Sequence, residues 1–150
     1  MSRLKPVSYS WTDMLGCSDT IIEQMAGWIP DRVFGVHLGG IIPAVLVAKG
    51  LKQDDIGGMK IDNLGIPCPP ETMKEERILI VDDIIDSGRT MKRLDEWYEY
   101  HYPEVEFRTA GFIYKSNCSI FKPDYYGLED ASNSWIVYPW EEEWQLKGLQ

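Results

Sequence analysis

The stretch that most limits what this chain can fold into is RILIVDDIIDSGRTM, residues 77–91. Four apolar residues at 78–81 run straight into Asp82 and Asp83. Asp86 follows three positions on, and then Ser87, Gly88, Arg89 and Thr90. An unbroken apolar run bounded by turn residues fits a strand buried on both faces, as in the middle of a parallel sheet. Placing two acids at its end and a polar, glycine-containing turn beyond it makes little sense for packing alone. The order suits a site for a ligand that is both hydroxylated and anionic.

On either side of this stretch the pattern repeats. RVFGVHL (32–38) reads as a buried strand, Gly39 and Gly40 as a sharp turn, and IPAVLVAKGL (42–51) as a helix with Pro43 in its first turn. A preceding helix is predicted over 18–28 from the spacing of Ile21, Ile22, Met25 and Trp28, with Thr20 and Glu23 as a capping box and Ser18 and Asp19 as competing caps. GGMKIDN (57–63) reads as a short strand, and the proline-interrupted segment 64–76 as irregular. The acid-ended strand covers 77–84, a helix 89–100 and a further strand 105–115. Strand–helix units in series predict an α/β fold, a parallel sheet flanked by helices. Beyond residue 116, KPDYYG (122–127) and SWIVYPWEEEW (134–144) are short and aromatic, suited to an annex over one sheet edge. At 150 residues, with 44% apolar composition, the chain is expected to form a single domain, residues 1–150.

The net charge of −9 argues against broad affinity for nucleic acid. Cys17, Cys68 and Cys118 are scattered without CxxC spacing and read as free thiols. With no apolar run of membrane-span length and no signal-peptide pattern at the start, a cytoplasmic protein is expected.

The acids and the turn divide into two chemistries. At the carboxyl end of a parallel strand, Asp82 and Asp83 stand where open α/β sheets collect ligands. Carboxylates accept hydrogen bonds from a vicinal diol and help hold a hydrated Mg2+. The following helix start offers unpaired N–H groups, the Ser87 and Thr90 hydroxyls, close backbone approach at Gly88 and the charge of Arg89, a phosphate cradle. Capping alone would account for Ser87 or Thr90 singly. The glycine spacing matches neither a Walker A loop nor a GxGxxG fingerprint.

The whole of ILIVDDIIDSGRTM resembles the phosphoribosyl-pyrophosphate signature of the type I phosphoribosyltransferases. Likeness to their compact 6-oxopurine members, the xanthine-guanine enzymes, extends over residues 33–142 through HLGGIIPA (37–44), FIYK (112–115), KPDYYG and WIVYPWE (135–141). The resemblance implies a base-binding hood from residues 116–150 and a catalytic loop between the second and third core strands. It gives Asp82 and Asp83 to the ribose hydroxyls, with Asp83 near Mg2+, and makes Asp86 the general acid or base at purine N7. Ser87, Gly88, Arg89 and Thr90 would cradle the 5′-phosphate. Leu38, Gly39 and Gly40 would form the pyrophosphate loop, with a non-proline cis peptide at Leu38–Gly39. Lys115 would donate to the 6-oxo group, Trp135 would stack on the base, and the main chain at Ile136 and Val137 would read its edge. The implied ligands are phosphoribosyl pyrophosphate with a purine base, or a nucleoside monophosphate. The implied assembly is a homodimer or homotetramer.

Three positions depart from the family pattern. Leu38 stands where Arg or Lys is usual, and His37 is the neighbouring candidate cation. The loop from about 61 to 76, with Thr72 and Lys74, is short for a closing lid. Val137 replaces an acid that Glu129, Asp130 or Glu141 could supply from nearby. The expected reaction is phosphoribosyl transfer to guanine, xanthine or hypoxanthine. Other readings are a nonenzymatic nucleotide or phosphoribosyl-pyrophosphate sensor, a nucleotide N-glycosidase, and a transferase for another nucleobase.

Overall fold

The apolar run at 78–81 lies at the heart of a sheet covered on both faces. The computed structural model describes residues 5–62, 65, 67–68 and 76–142. In chain order they form β1 (Pro6–Ser8), α1 (Trp11–Met25), β2 (Arg32–Val36), α2 (Ile41–Leu51), β3 (Ile56–Ile61), β4 (Pro67–Cys68), β5 (Arg77–Ile85), α3 (Arg89–His101), β6 (Glu106–Tyr114), β7 (Tyr125–Glu129) and β8 (Trp135–Val137). The main sheet has the order β4-β3-β2-β5-β6-β7. Strands β3, β2, β5, β6 and β7 run parallel, and β4 pairs antiparallel with β3. β1 and β8 make a separate parallel pair, with Val7 opposite Ile136.

Alternation along β5 explains why its apolar run is unbroken. Leu79 and Val81 join Met14, Ile21, Val33, Val47 and Phe112 on the face covered by α1 and α2. Ile78 and Ile80 face the other way, joining Phe34, Met59, Met91, Leu94 and Tyr98 under α3. All four are fully buried. Full burial of such side chains is worth about 1.5–3 kcal/mol each, so this strand anchors both layers.

Helix α1 starts well before the predicted residue 18. Its capping box is made by Ser10 and Asp13: Asp13 N donates to Ser10 Oγ at 3.1 Å, and Ser10 N donates to Asp13 Oδ2 at 2.7 Å. The inward stripe is Met14, Cys17, Ser18, Ile21 and Met25, so Ser18 packs inside the helix instead of capping it. The other core elements fall within two residues of their predicted bounds, and KPDYYG contributes the start of the edge strand β7. Most of the lid segment, including Thr72 and Lys74, lies outside the described residues, as does the Cys68 side chain. No helix among the described residues is long and apolar enough to cross a membrane.

The chain moves from β2 outward to β3, then returns to β5 on β2's other side and continues to β6 and β7. A switch point therefore lies between the carboxyl ends of β2 and β5, the place where open α/β sheets bind ligands.

Candidate active site

Two glycine-dependent approaches shape the floor of this crevice. After β2, the turn at 37–40 passes directly beneath the acids: a Cβ at Gly39 would lie 2.5 Å from Asp83 Oδ2. Any larger residue would push the pyrophosphate-loop candidate and Asp83 apart. After β5, Gly88 adopts φ +79°, and a Cβ there would stand 2.8 Å from Phe121 N. Gly88 thus satisfies both a left-handed turn and tight packing against the loop after β6.

In the 37–40 turn the N–H groups of Leu38 and Gly39 have no hydrogen-bond partner among the described residues, whereas Gly40 N donates to Val36 O at 2.8 Å. Of the two, Gly39 packs directly against the Asp83 carboxylate. Leu38 is 78% exposed and brings no charge. His37 does not replace it, because its imidazole lies over Gly58 on β3. The cis peptide falls one bond earlier than the resemblance implies, at His37–Leu38.

Asp82 and Asp83 are half-buried and adjacent. Burial, reinforced by the charge of Asp83, holds the Asp82 carboxyl well above its ordinary value. Burial also raises Asp83, against the lowering effect of its hydrogen bonds, which include Ile84 N donating to Asp83 Oδ1 at 2.8 Å. No lysine or arginine among the described residues pairs with either acid. Two partly desolvated carboxylates lacking a protein cation are a fitting donor set for a hard divalent ion. No cluster of three protein ligands occurs among the described residues. Mg2+ commonly takes one or two carboxylates and completes its shell with water and substrate oxygens.

The acid pair has a stability consequence. With a folded value above the ordinary 3.8, ionised Asp82 opposes folding in full above that folded value. The penalty disappears as pH falls through the raised value toward 3.8. D82N is therefore expected to raise the melting temperature of the ligand-free protein at neutral pH by a few degrees. Thermal melts across pH check this: the gain should shrink on acidification.

Beyond the acids, two clefts meet. One, of about 230 Å³, is lined by Asp82, Ile84, Ile85, Asp86, Ser87, Gly88, Thr90 and Met91 at the start of α3. Gly88 caps that helix without a side-chain hydrogen bond, and Ser87 Oγ accepts only a long 3.4 Å contact from Arg89 N. The first-turn donors remain available to an anion. Arg89 and Thr90 are exposed beside them. The second cleft, of about 310 Å³, is walled by Lys115, Cys118, the loop 132–134, Trp135, Ile136, Tyr138 and Glu141, with Asp83 and Asp86 on its floor. Ile84 and Asp86 line both clefts, so Asp86 stands between the helix-start end and the aromatic end.

The aromatic end is built by residues 132–141. Trp135 leaves 53% of its surface exposed along the cleft. Trp135 N donates to Lys5 O, and Val137 O accepts from Tyr9 N, both at 3.0 Å. Those groups point to β1, so by strand alternation Ile136 directs its own N–H and C=O away from β1. Of the two predicted edge readers, only Ile136 has its main chain free of that pairing.

Lys115 is almost wholly buried and uses all three ammonium protons. They go to Asp130 Oδ2 at 2.7 Å, Ser132 O at 3.0 Å and Ser134 O at 2.9 Å. Burial would raise the Asp130 carboxyl, but bonds from Lys115 and Ser132 outweigh it and hold the group below its ordinary value. Asp130 is thereby committed to Lys115. Glu129 is exposed, which leaves Glu141 as the acid of the three that lines the cleft. Burial raises the Glu141 carboxyl, and Asp83 adds to the rise.

Two contacts had no sequence signal. The buried Tyr138 hydroxyl donates to Asp83 O at 2.8 Å and ties the hood to the acid strand. Cys118 Sγ lies 3.3 Å from Asp86 Oδ1. Both are long-range pairings of residues whose types are ordinary in cores and loops.

Comparison with known proteins agrees with this geometry. The family model described as "Phosphoribosyl transferase domain" matches residues 16–147. The chain belongs to the phosphoribosyltransferase family, with the fold of its type I members. More particularly, it is similar to the xanthine-guanine phosphoribosyltransferase of Cereibacter sphaeroides, with 29% identity over 148 residues, 88% of this chain and 84% of that protein. It is likewise similar to that of Idiomarina loihiensis, with 28% identity over 73% of this chain and 70% of the relative. Among solved structures, a purine phosphoribosyltransferase from Pyrococcus horikoshii superimposes with a TM-score of 0.76 at 27% identity, covering 91% of this chain and 94% of that one. The Helicobacter pylori xanthine-guanine-hypoxanthine phosphoribosyltransferase shares the fold, with a TM-score of 0.82 at 21% identity over 99% of this chain and 100% of that one.

Proposed function

We propose that the protein transfers the 5-phosphoribosyl group of phosphoribosyl pyrophosphate to a 6-oxopurine base, releasing pyrophosphate. The single observation that carries this reading is the meeting of two clefts at Asp86. One is a helix start suited to a phosphate, the other an aromatic-walled slot suited to a flat base, and the acid pair lies between them. The names of the similar proteins, xanthine-guanine and purine phosphoribosyltransferases, support the base class.

In this reading the 5′-phosphate rests on the N–H groups and hydroxyls of residues 87–90, while Asp82 and Asp83 accept the ribose hydroxyls. The bond from the anomeric carbon to pyrophosphate breaks as a purine ring nitrogen attacks that carbon. Asp86 takes the proton from purine N7, which keeps electron density on the attacking ring. The free N–H groups of Leu38 and Gly39 receive charge developing on the leaving pyrophosphate. Asp83, with Asp82 beside it, would hold Mg2+, which when bound neutralises pyrophosphate charge. Trp135 covers one face of the base and the Ile136 main chain reads its edge. Lys115 reaches the 6-oxo group by exchanging its bond to Ser132 O or Ser134 O, while Asp130 keeps it charged.

The test is incubation of the protein with Mg2+, phosphoribosyl pyrophosphate and guanine, xanthine, hypoxanthine, adenine or uracil. Nucleotide should form with the 6-oxopurines, and no nucleotide with any base would overturn the reading. A second reading, ligand binding without turnover, is favoured by the uncharged, exposed Leu38. It predicts saturable donor binding with no product in the same assay. Replacing Trp135 with Ala should raise the base KM about 5- to 150-fold, as stacking on an aromatic ring is worth roughly 1–3 kcal/mol. An unchanged base KM would remove Trp135 from that role.

A further inference from the structure

The turn after β6 is fastened to the loop after β5 at several successive points. Cys118 N and Ser119 N both donate to Lys115 O, which closes the turn at 115–119. Ile120 N then donates to Ser87 O at 2.9 Å. Gly88 is packed so closely on Ser119 and Phe121 that a Cβ could not fit. Ser119 Oγ donates to Phe121 O at 2.6 Å and fixes that wall. The loop carrying Asp86, Ser87 and Gly88 therefore takes its shape from residues 115–121.

Within this seam a single side chain from the turn touches the Asp86 carboxylate. Cys118 Sγ is 3.3 Å from Asp86 Oδ1 and 3.5 Å from Asp86 O, whereas Lys115 O is farther, at 3.9 Å. A thiol has one proton, and the nearest acceptor carries the negative charge. Partial desolvation of the sulfur and its bond to Asp86 both raise the thiol above its ordinary value, so at neutral pH it retains the proton it donates. Asp86 itself is exposed, and no other side-chain donor among the described residues reaches its carboxylate.

We infer that Cys118 is a positioning residue for Asp86, its S–H···Oδ1 hydrogen bond fixing the carboxylate at the junction of the two clefts. The inference rests on the role given to Asp86 above. It follows from the geometry of proton transfer, which requires the carboxylate to stay within hydrogen-bond reach of one ring position. An exposed Asp with free rotation would visit that position only part of the time. The thiol restricts it without neutralising it, as a lysine there would do.

Three variants and one spectrum test this. C118V removes the donor at similar volume, and C118S restores one. C118V should lower kcat roughly 3- to 10-fold, the scale of one hydrogen bond. The phosphoribosyl-pyrophosphate KM should change less than about twofold, and C118S should stay near the wild-type kcat. Wild-type kcat in C118V, equal losses in both variants, or a loss confined to KM would each overturn the inference. The infrared S–H stretching band of Cys118, assigned by its loss in C118S, supplies a readout independent of turnover. D86A should move that band to higher frequency as the hydrogen bond is lost. An unmoved band overturns the inference even if transfer occurs. A protein that transfers no purine but shows the shift would overturn the proposed function and retain the Cys118–Asp86 bond.

Discussion

Replacing Asp86 with Asn should lower kcat for phosphoribosyl transfer by about 100- to 10,000-fold, the usual contribution of a general acid–base group. Asn keeps the size and the hydrogen-bonding oxygen of the side chain but cannot take up a proton. Asp86 lines both clefts without supporting the core, so its replacement should leave folding intact. Affinity for phosphoribosyl pyrophosphate should change little, because the phosphate donors at 87–90, the acid pair and the Leu38 and Gly39 amides all remain. Single-turnover rates with donor binding measured in parallel separate the two effects. An unchanged kcat would remove Asp86 from proton transfer, and a parallel collapse of donor binding would make it a structural support of the loop.

The second large effect belongs to Lys115. K115M should destabilise the protein by about 3–5 kcal/mol, the scale for removing one partner of a buried ion pair. The loss has three parts, since Asp130 Oδ2, Ser132 O and Ser134 O each forfeit their donor. Both charged side chains are well shielded, with 5% and 14% of their surface exposed, so the loss is not that of a surface pair. The pH dependence has a definite sign. A folded Asp130 value below the ordinary 3.8 gives stability that is present in full above 3.8 and lost as pH falls through the lower folded value. Urea titrations of wild type and K115M should therefore differ most near neutral pH and converge in strong acid. A neutral-pH difference below about 1 kcal/mol would show the pair behaving like an exposed one. Base KM should also rise in K115M, because the hood loop that carries residues 132–134 forms one wall of the slot.

The sequence made the centre of the molecule legible and its rim much less so. The apolar run at 78–81 could pack on both faces only as an inner strand, and that fixed where Asp82, Asp83 and Asp86 emerge. Gly39 and Gly88 were readable for a related reason: a turn that brings backbone against a carboxylate or another loop leaves no room for a Cβ. Helix α1 was placed too late because its first turn is held by the capping box at Ser10 and Asp13, while its exposed Trp11 and Leu15 obscure the inward stripe. The hood was harder still. β8 is three residues long, too short for a period to show, and its partner β1 lies more than a hundred residues away. Lys115 could be named as a donor from its motif, but nothing in FIYK reveals that three oxygens already share its protons. Likewise, Cys118 carried no signal of its own, since its meaning comes from the carboxylate it faces after folding.

The pairing of β1 with β8 also bears on how the protein is made. During synthesis, the segment at residues 6–8 leaves the ribosome long before its partner at 135–137 has been translated. The parallel sheet through β6 and the helix start at 89 can assemble from chain already released, whereas the wall formed by Trp135 and Ile136 must wait until residues 135–137 have followed. A nascent chain can therefore order the start of α3 before the Trp135 and Ile136 wall is in place. A fusion or tag placed directly against residue 6 would act, through this pairing, on the Trp135 and Ile136 wall more than a hundred residues along the chain.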